Sequence, residues 1–209
     1  LLDALSDHSS LRAFFHISSS SIYGAEATGR EHTPPAPISA YGRTKLRAER
    51  VVRTAANRAS WDACVLRLFS VYGPRERPDK LIHKALRCAR TRQAFPLYDG
   101  SAEHRRSFTY VGDVVDGLAA ALRRFDHCRG EIINLGAPRT ASTQRVLNLV
   151  AEALGQPLCV ERVPPRNGDQ HRTCAQIQKA RRLLDFSPDT SLREGIAAEA
   201  GWLDRAHVG

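Results

Sequence analysis

The sequence predicts an α/β protein built on a parallel sheet, and three observations lead there. Two short runs, Ala13-Phe14-Phe15-His16-Ile17 and Ala63-Cys64-Val65-Leu66-Arg67-Leu68, are almost continuously apolar, as strands covered on both faces must be. Each gives way, after a loop, to a longer stretch of helical character. Residues that cap helices stand where those stretches begin and end.

The elements follow in order. The first strand runs into Ser18-Ser19-Ser20-Ser21-Ile22-Tyr23-Gly24, and a loop with Pro34, Pro35 and Pro37 leads to a helix that carries Tyr41 and Lys45 and continues past Val52. The second strand, 63–68, is followed by the loop from Val71 to Pro78 and a helix from about Asp79 to Arg92. Asp113 is expected to cap a helix that buries Val114, Val115, Leu118 and Leu122. A third strand, Glu131 to Leu135, closes at Gly136. Ser142 can cap the helix Thr143 to Leu154, which Gly155 ends, and Ser191-Leu192-Arg193-Glu194 forms a capping box for the last helix.

Composition narrows the function classes. With 209 residues, 42% of them hydrophobic, the chain can bury a substantial core. No apolar run nears the roughly 20 residues that span a bilayer, and no signal-peptide pattern opens the chain. We expect a cytoplasmic protein with no membrane partner. Five cysteines without a CxxC pair read as reduced thiols, and no clustered Cys/His set predicts a metal. The net charge of +9 comes from scattered arginine pairs (Arg105-Arg106, Arg123-Arg124, Arg181-Arg182) without interleaved aromatics. That reads as a solvated surface, not a nucleic-acid face. The absence of Met and the start at Leu1 suggest a fragment.

The chemistry sits in Tyr41-Gly42-Arg43-Thr44-Lys45. Tyr41 and Lys45 share one helix face, one turn apart. An ammonium beside a phenol favours the phenolate and lowers its pKa from about 10. A serine at a strand end can hold the same substrate oxygen. Such a set can take a proton from an alcohol while a hydride leaves its carbon. No Gly-rich dinucleotide loop occurs in the chain, so it reads as the chemical half of a nicotinamide enzyme without the half that grips the cofactor.

Y-x-x-x-K alone is common on solvated helices; the ordered set gives it weight. Strand, Ser-Ser-Ser-Ser-Ile-Tyr-Gly, proline loop, Y-x-x-x-K helix, strand, Arg67-Leu68-Phe69-Ser70-Val71-Tyr72-Gly73-Pro74 and then Arg106-Ser107-Phe108-Thr109-Tyr110-Val111 closely resembles the extended short-chain dehydrogenase/reductase family, in particular its nucleotide-sugar epimerases and dehydratases. The resemblance covers nearly the whole chain but lacks the family's first third. It implies the C-terminal portion of a Rossmann-like parallel sheet plus a small mixed α/β substrate-binding domain. Residues 1–75 would be the remaining cofactor-side part and 76–209 mainly the sugar-nucleotide part, with 110–138 returning a helix and strand to the sheet.

The resemblance implies NAD as cofactor, a nucleotide-sugar substrate and a homodimer when complete. Tyr41 would be the general base, Lys45 its pKa modulator and ribose ligand, and Ser19 the hydroxyl that holds the reacting oxygen, with Ser18 also on the cofactor side. NAD would take a hydride from C4 of the sugar and return it to the other face of a 4-keto intermediate. Ser20 and Ser21 stand where dehydratases of the family carry Asp-Glu, which disfavours elimination. Ser70 to Asp79 resembles the loop of UDP-glucuronate 4-epimerases, in which Arg77 would clamp the sugar carboxylate and Ser70 and Ser20 would orient the sugar. Arg106, Arg166 and Asp169 match the diphosphate end. Ser107, Gly112-Asp113 and Ala175-Gln176 depart from the usual pattern there.

His16, inside a strand, reads as a packed core residue. Two other readings stay open: an epimerase of UDP-glucose or another nucleotide sugar, and a non-catalytic remnant that serves as a binding chain. For residues 1–209 alone we expect weak NAD binding, little turnover and an uncovered first strand prone to association.

Overall fold

A computed structural model of the chain describes residues 1–5, 8, 10–165 and 168–206. After a short helix α1 (Leu2–Leu5), strand β1 (Ala13–Ser19) pairs in parallel with β3 (Asp62–Leu68). The register runs from Ala13 opposite Asp62 to Ser19 opposite Leu68. Strand β8 (Ile132–Leu135) adds in parallel on the far side of β3, with Val65 opposite Ile132. The order β1-β3-β8 leaves β3 central, and its interior residues from Ala63 to Arg67 are all buried. This is the α/β architecture with a parallel sheet that the apolar runs predict.

Other short strands make smaller sheets. β2 (Glu26–Ala27), β11 (Arg172–Thr173), β6 (Arg105–Arg106) and β9 (Ala141–Ser142) form one, with β6 and β9 antiparallel. β4 (Val71–Tyr72) pairs with β7 (Thr109–Tyr110), and β5 (Phe95–Tyr98) with β10 (Val160–Val163), both in parallel. The helices are α2 (Ala40–Ala56), α3 (Leu81–Arg90), α4 (Val111–Arg123), α5 (Phe125–Cys128), α6 (Thr143–Leu154), α7 (Gln178–Leu184) and α8 (Leu192–Ala206).

Two large apolar clusters and a small one, around Val52, Trp61 and Ala63, are found among the described residues. One large cluster gathers Ile22, Leu66, Phe69, Ile133, Leu135 and Leu184 around the parallel sheet. The other packs α3, α6 and α8 through Ile82, Leu86, Val150, Ile196 and Leu203, with Phe95 of β5. Among the described residues no helix is long and apolar enough to cross a membrane, and no group of three His, Cys, Asp or Glu side chains could hold a metal ion.

The caps at α6 and α8 form as predicted. Ser142 Oγ accepts from Arg145 N at 3.1 Å, Gly155 turns left-handed at φ 63°, and Glu194 Oε2 accepts from Ser191 N at 2.9 Å while Ser191 Oγ accepts from Glu194 N at 3.2 Å. Asp113 does not cap α4. The helix starts at Val111 directly from β7, with Tyr110 at its N-cap, because β4 already pairs with that segment. Asp113 lies inside the first turn, buried, and accepts from Thr190 Oγ1 at 2.8 Å. The buried face of α4 is Val114, Gly117 and Ala121, while Val115 and Leu122 are exposed, contrary to expectation.

Candidate active site

The carboxyl end of β1 and the first turn of α2 meet at the serine cluster. Ser19 ends β1 with extended backbone and caps a 3-10 turn, Ser20–Tyr23, its hydroxyl accepting from Ser21 N at 3.2 Å. Ser19 Oγ also bonds Ser21 Oγ at 3.2 Å. Ser39 caps α2 by accepting from Gly42 N at 3.0 Å, which starts the helix one residue before Tyr41. Gly42 faces the serine turn: a Cβ there would stand 2.5 Å from the carbonyl oxygen of Ser21. Glycine at this point lets the Tyr41 helix close on the Ser19 segment.

Lys45 is held between the two elements. Its Nζ donates to Ile17 O of β1 at 2.9 Å and lies 5.8 Å from the centre of the Tyr41 ring. The amine thus keeps two N–H donors for an incoming hydroxyl and the phenol oxygen. Tyr41 is 55% exposed. Two cavities, one lined by Phe108, Pro138, Arg139 and Leu192 and the other by Glu31, Arg53, Glu131 and Lys179, include neither Tyr41 nor Ser19.

Behind the serines lies a buried polar network that sequence reading missed. Arg67 of β3 pairs with Glu49 of α2, donates to Tyr23 Oη at 2.8 Å and to Glu31 O at 3.0 Å, and Tyr23 Oη donates to Asn134 Oδ1 at 2.8 Å. Burial raises the Tyr23 pKa, with Arg67 pulling the other way. For Arg67, burial is the largest single influence and works against the charge, but Glu49 and Tyr23 together outweigh it and the pKa rises. An arginine inside an apolar strand was the visible signal; its partner was not.

Ser18 belongs to this network. It is 3% exposed, and its hydroxyl donates to Glu49 Oε1. Side chains alternate along β1, and the Ser18 side chain turns inward to this carboxylate. His16 is part-buried in β1, its pKa lowered by burial and then by Lys45.

The substrate-side residues fall into two groups. Arg106 of β6 and Asp169 come to 4.0 Å through the sheet that joins β2, β11 and β6. Next to Asp169, Gln170 Nε2 donates to Gly24 O at 2.7 Å and reaches Ser20 O at 3.4 Å, so this segment rests on the serine turn. Ser20 itself is buried at the start of that turn. Ser70 follows β3, and its carbonyl accepts from Thr109 N at 3.0 Å. Arg77 stands apart on the surface, bidentate with Asp79 at 3.1 and 2.8 Å, both side chains largely exposed. Arg166 lies outside the described residues.

Residues 1–136 match the NAD dependent epimerase/dehydratase family. The chain is 34% identical over 211 residues to a Bacillus subtilis protein named "Uncharacterized UDP-glucose epimerase YtcB", covering 100% of this chain and 66% of that one. It is 30% identical over 188 residues to a UDP-glucuronate 4-epimerase of Thermodesulfobacterium geofontis, covering 88% of this chain and 57% of the other. Its fold superposes on the crystal structure of UDP-glucuronic acid 4-epimerase from Bacillus cereus in complex with UDP-glucuronic acid and NAD, with a TM-score of 0.93 and 33% identity over 99% of this chain and 65% of that one. The chain therefore spans 57–66% of the length of these relatives. A serine turn, a Tyr–Lys helix and a parallel sheet in this order, with a family match over the same residues, place the chain in the NAD dependent epimerase/dehydratase family.

Proposed function

We propose that the chain is the proton-transfer and sugar-nucleotide portion of an NAD-dependent 4-epimerase acting on UDP-glucuronate. The observation that carries this is Lys45 Nζ, set between the Ile17 carbonyl and the Tyr41 ring where β1 delivers Ser19. Tyr41 takes the proton from the sugar 4-hydroxyl, Ser19 Oγ holds that oxygen, and Lys45 stabilises the phenolate. NAD, when bound, supplies the hydride acceptor at C4 and the hydride that returns. Lys45 and Tyr41 fit its nicotinamide ribose, since Lys45 keeps free N–H donors and the neighbouring Tyr41 is exposed; no Gly-rich turn in the sequence offers a cradle for its pyrophosphate. The proton that Tyr41 holds goes back to the same oxygen when the keto sugar is reduced on its other face.

Arg106 and Asp169 are the diphosphate end in this reading, and Arg77 the contact for the sugar carboxylate. The second reading, a neutral sugar such as UDP-glucose, is favoured by one observation: Arg77 is already paired with Asp79.

Calorimetry of UDP-glucuronate against UDP-glucose on the chain tests the substrate. Tighter binding of the sugar acid that Arg77→Ala abolishes supports the first reading; equal binding of both sugars rejects it. Fusing the Gly-rich first third of a relative ahead of Leu1 tests the reaction. We expect NAD-dependent 4-epimerisation from the fusion and little from the chain alone.

A further inference from the structure

A pair of acidic side chains in the helical cluster has no part in the site above. Glu199 of α8 is fully buried, and its Oε2 accepts from Gly73 N at 3.0 Å. Glu76, in the loop between β4 and α3, accepts through Oε2 from His83 N at 3.0 Å. That N–H is one of the open donors in the first turn of α3, where Lys80 at the N-cap provides no side-chain acceptor. The two carboxyl groups converge on His83, which donates its backbone N–H to Glu76 and brings its Nδ1 to 3.8 Å from Glu199 Oε1. No donor among the described residues bonds that oxygen.

A fully buried carboxylate beside a half-buried one disfavours ionisation of both, and a proton between them satisfies the remaining oxygen. Burial comes first in raising both groups, to about 7 for Glu76 and about 8 for Glu199, whose second cause is Glu76 itself. Around the pair, His83 faces it from α3, Lys80 and Asp79 act on Glu76 from the loop, and Tyr72 of β4 feels Glu199.

We propose that Glu76 and Glu199 share one proton and thereby fasten the 73–79 loop to α3 and α8, as positioning residues for Arg77. The fastening stands on its own; its value for substrate selection rests on the reading of Arg77 given above. Loss of the shared proton sets two negative charges against each other where the loop meets α3 and α8, and the loop loosens.

The test is an NMR titration of the labelled chain from about pH 5 to 9, following the Glu76 and Glu199 side-chain carboxyl carbons and the exchange of the Gly73 and His83 amides, corrected for intrinsic rates. The expected result is a coupled titration above about pH 6, with protection of both amides falling about tenfold over the same range. Glu76→Gln keeps the shape and offers an N–H to Glu199, so Gly73 protection should become flat with pH. Independent titration of both groups near the ordinary 4.5, or amide protection that ignores their titration, overturns the proposal. Should the variant not fold, the wild-type titration decides alone. Nucleotide-sugar binding is not read here, so a failed substrate assignment leaves this result intact.

Discussion

Arg67 grips Glu49 through two parallel bonds, Nε to Oε1 at 3.0 Å and Nη2 to Oε2 at 2.8 Å, with each side chain 3% exposed. The pair ties β3 to the helix that carries Tyr41, and Ser18 joins β1 to the same carboxylate. Glu49→Leu would strand a buried guanidinium with part of its bonds gone, a loss of about 3–5 kcal/mol. Urea unfolding should show it as a lower midpoint. The double change Glu49→Leu with Arg67→Met should regain most of the loss, because the uncompensated charge goes with it.

Gly42→Ala runs against the usual rule. In an open helix interior the change gains roughly 1 kcal/mol. Here the new methyl would press on a backbone oxygen, Ser21 O, that cannot rotate away. We expect a net loss of about 1–3 kcal/mol and a lower thermal midpoint. An unchanged or raised midpoint would mean that α2 and the serine turn are not in close contact.

Stability should fall as pH rises. Glu76 and Glu199 hold protons more tightly in the folded chain than in the unfolded one, where an ordinary carboxyl lets go near 4.5. The folded state binds the extra proton between that value and about 7 to 8, so stability is full below pH 4.5 as far as this pair is concerned and declines through pH 8. One shared proton corresponds to a decline on the order of 3 kcal/mol. Denaturant unfolding at several pH values reads it, and Glu76→Gln should flatten the slope.

Tyr41→Phe in the fused protein should cut epimerisation by about 10²- to 10⁴-fold while nucleotide-sugar affinity holds. Rates and calorimetry on the same preparation separate the two effects. A variant that turns over normally would remove Tyr41 from the chemistry.

Much of the parallel sheet was legible because β3 is covered on both faces and so reads as one apolar run. The caps at Ser142 and Ser191 were legible because their bonds are local. Asp113 misled, since its fitness as a cap said nothing of β7 pairing with β4 and leading straight into the helix. The two-residue strands that bring Arg106 to Asp169 carry no periodicity at all. Nor could spacing reveal Glu76 and Glu199, which stand 123 positions apart and meet only once α8 packs beside the loop.

Under the role proposed for Arg77, its bidentate contact with Asp79 turns sugar selection into an exchange. A glucuronate must evict an internal rival of the same charge and similar geometry, whereas a neutral hexose leaves that rival in place. An exposed pair of this kind is screened by water and held weakly. What discriminates the two sugars is then the small difference between an intramolecular and an intermolecular partner for one guanidinium, and Asp79 sets the threshold.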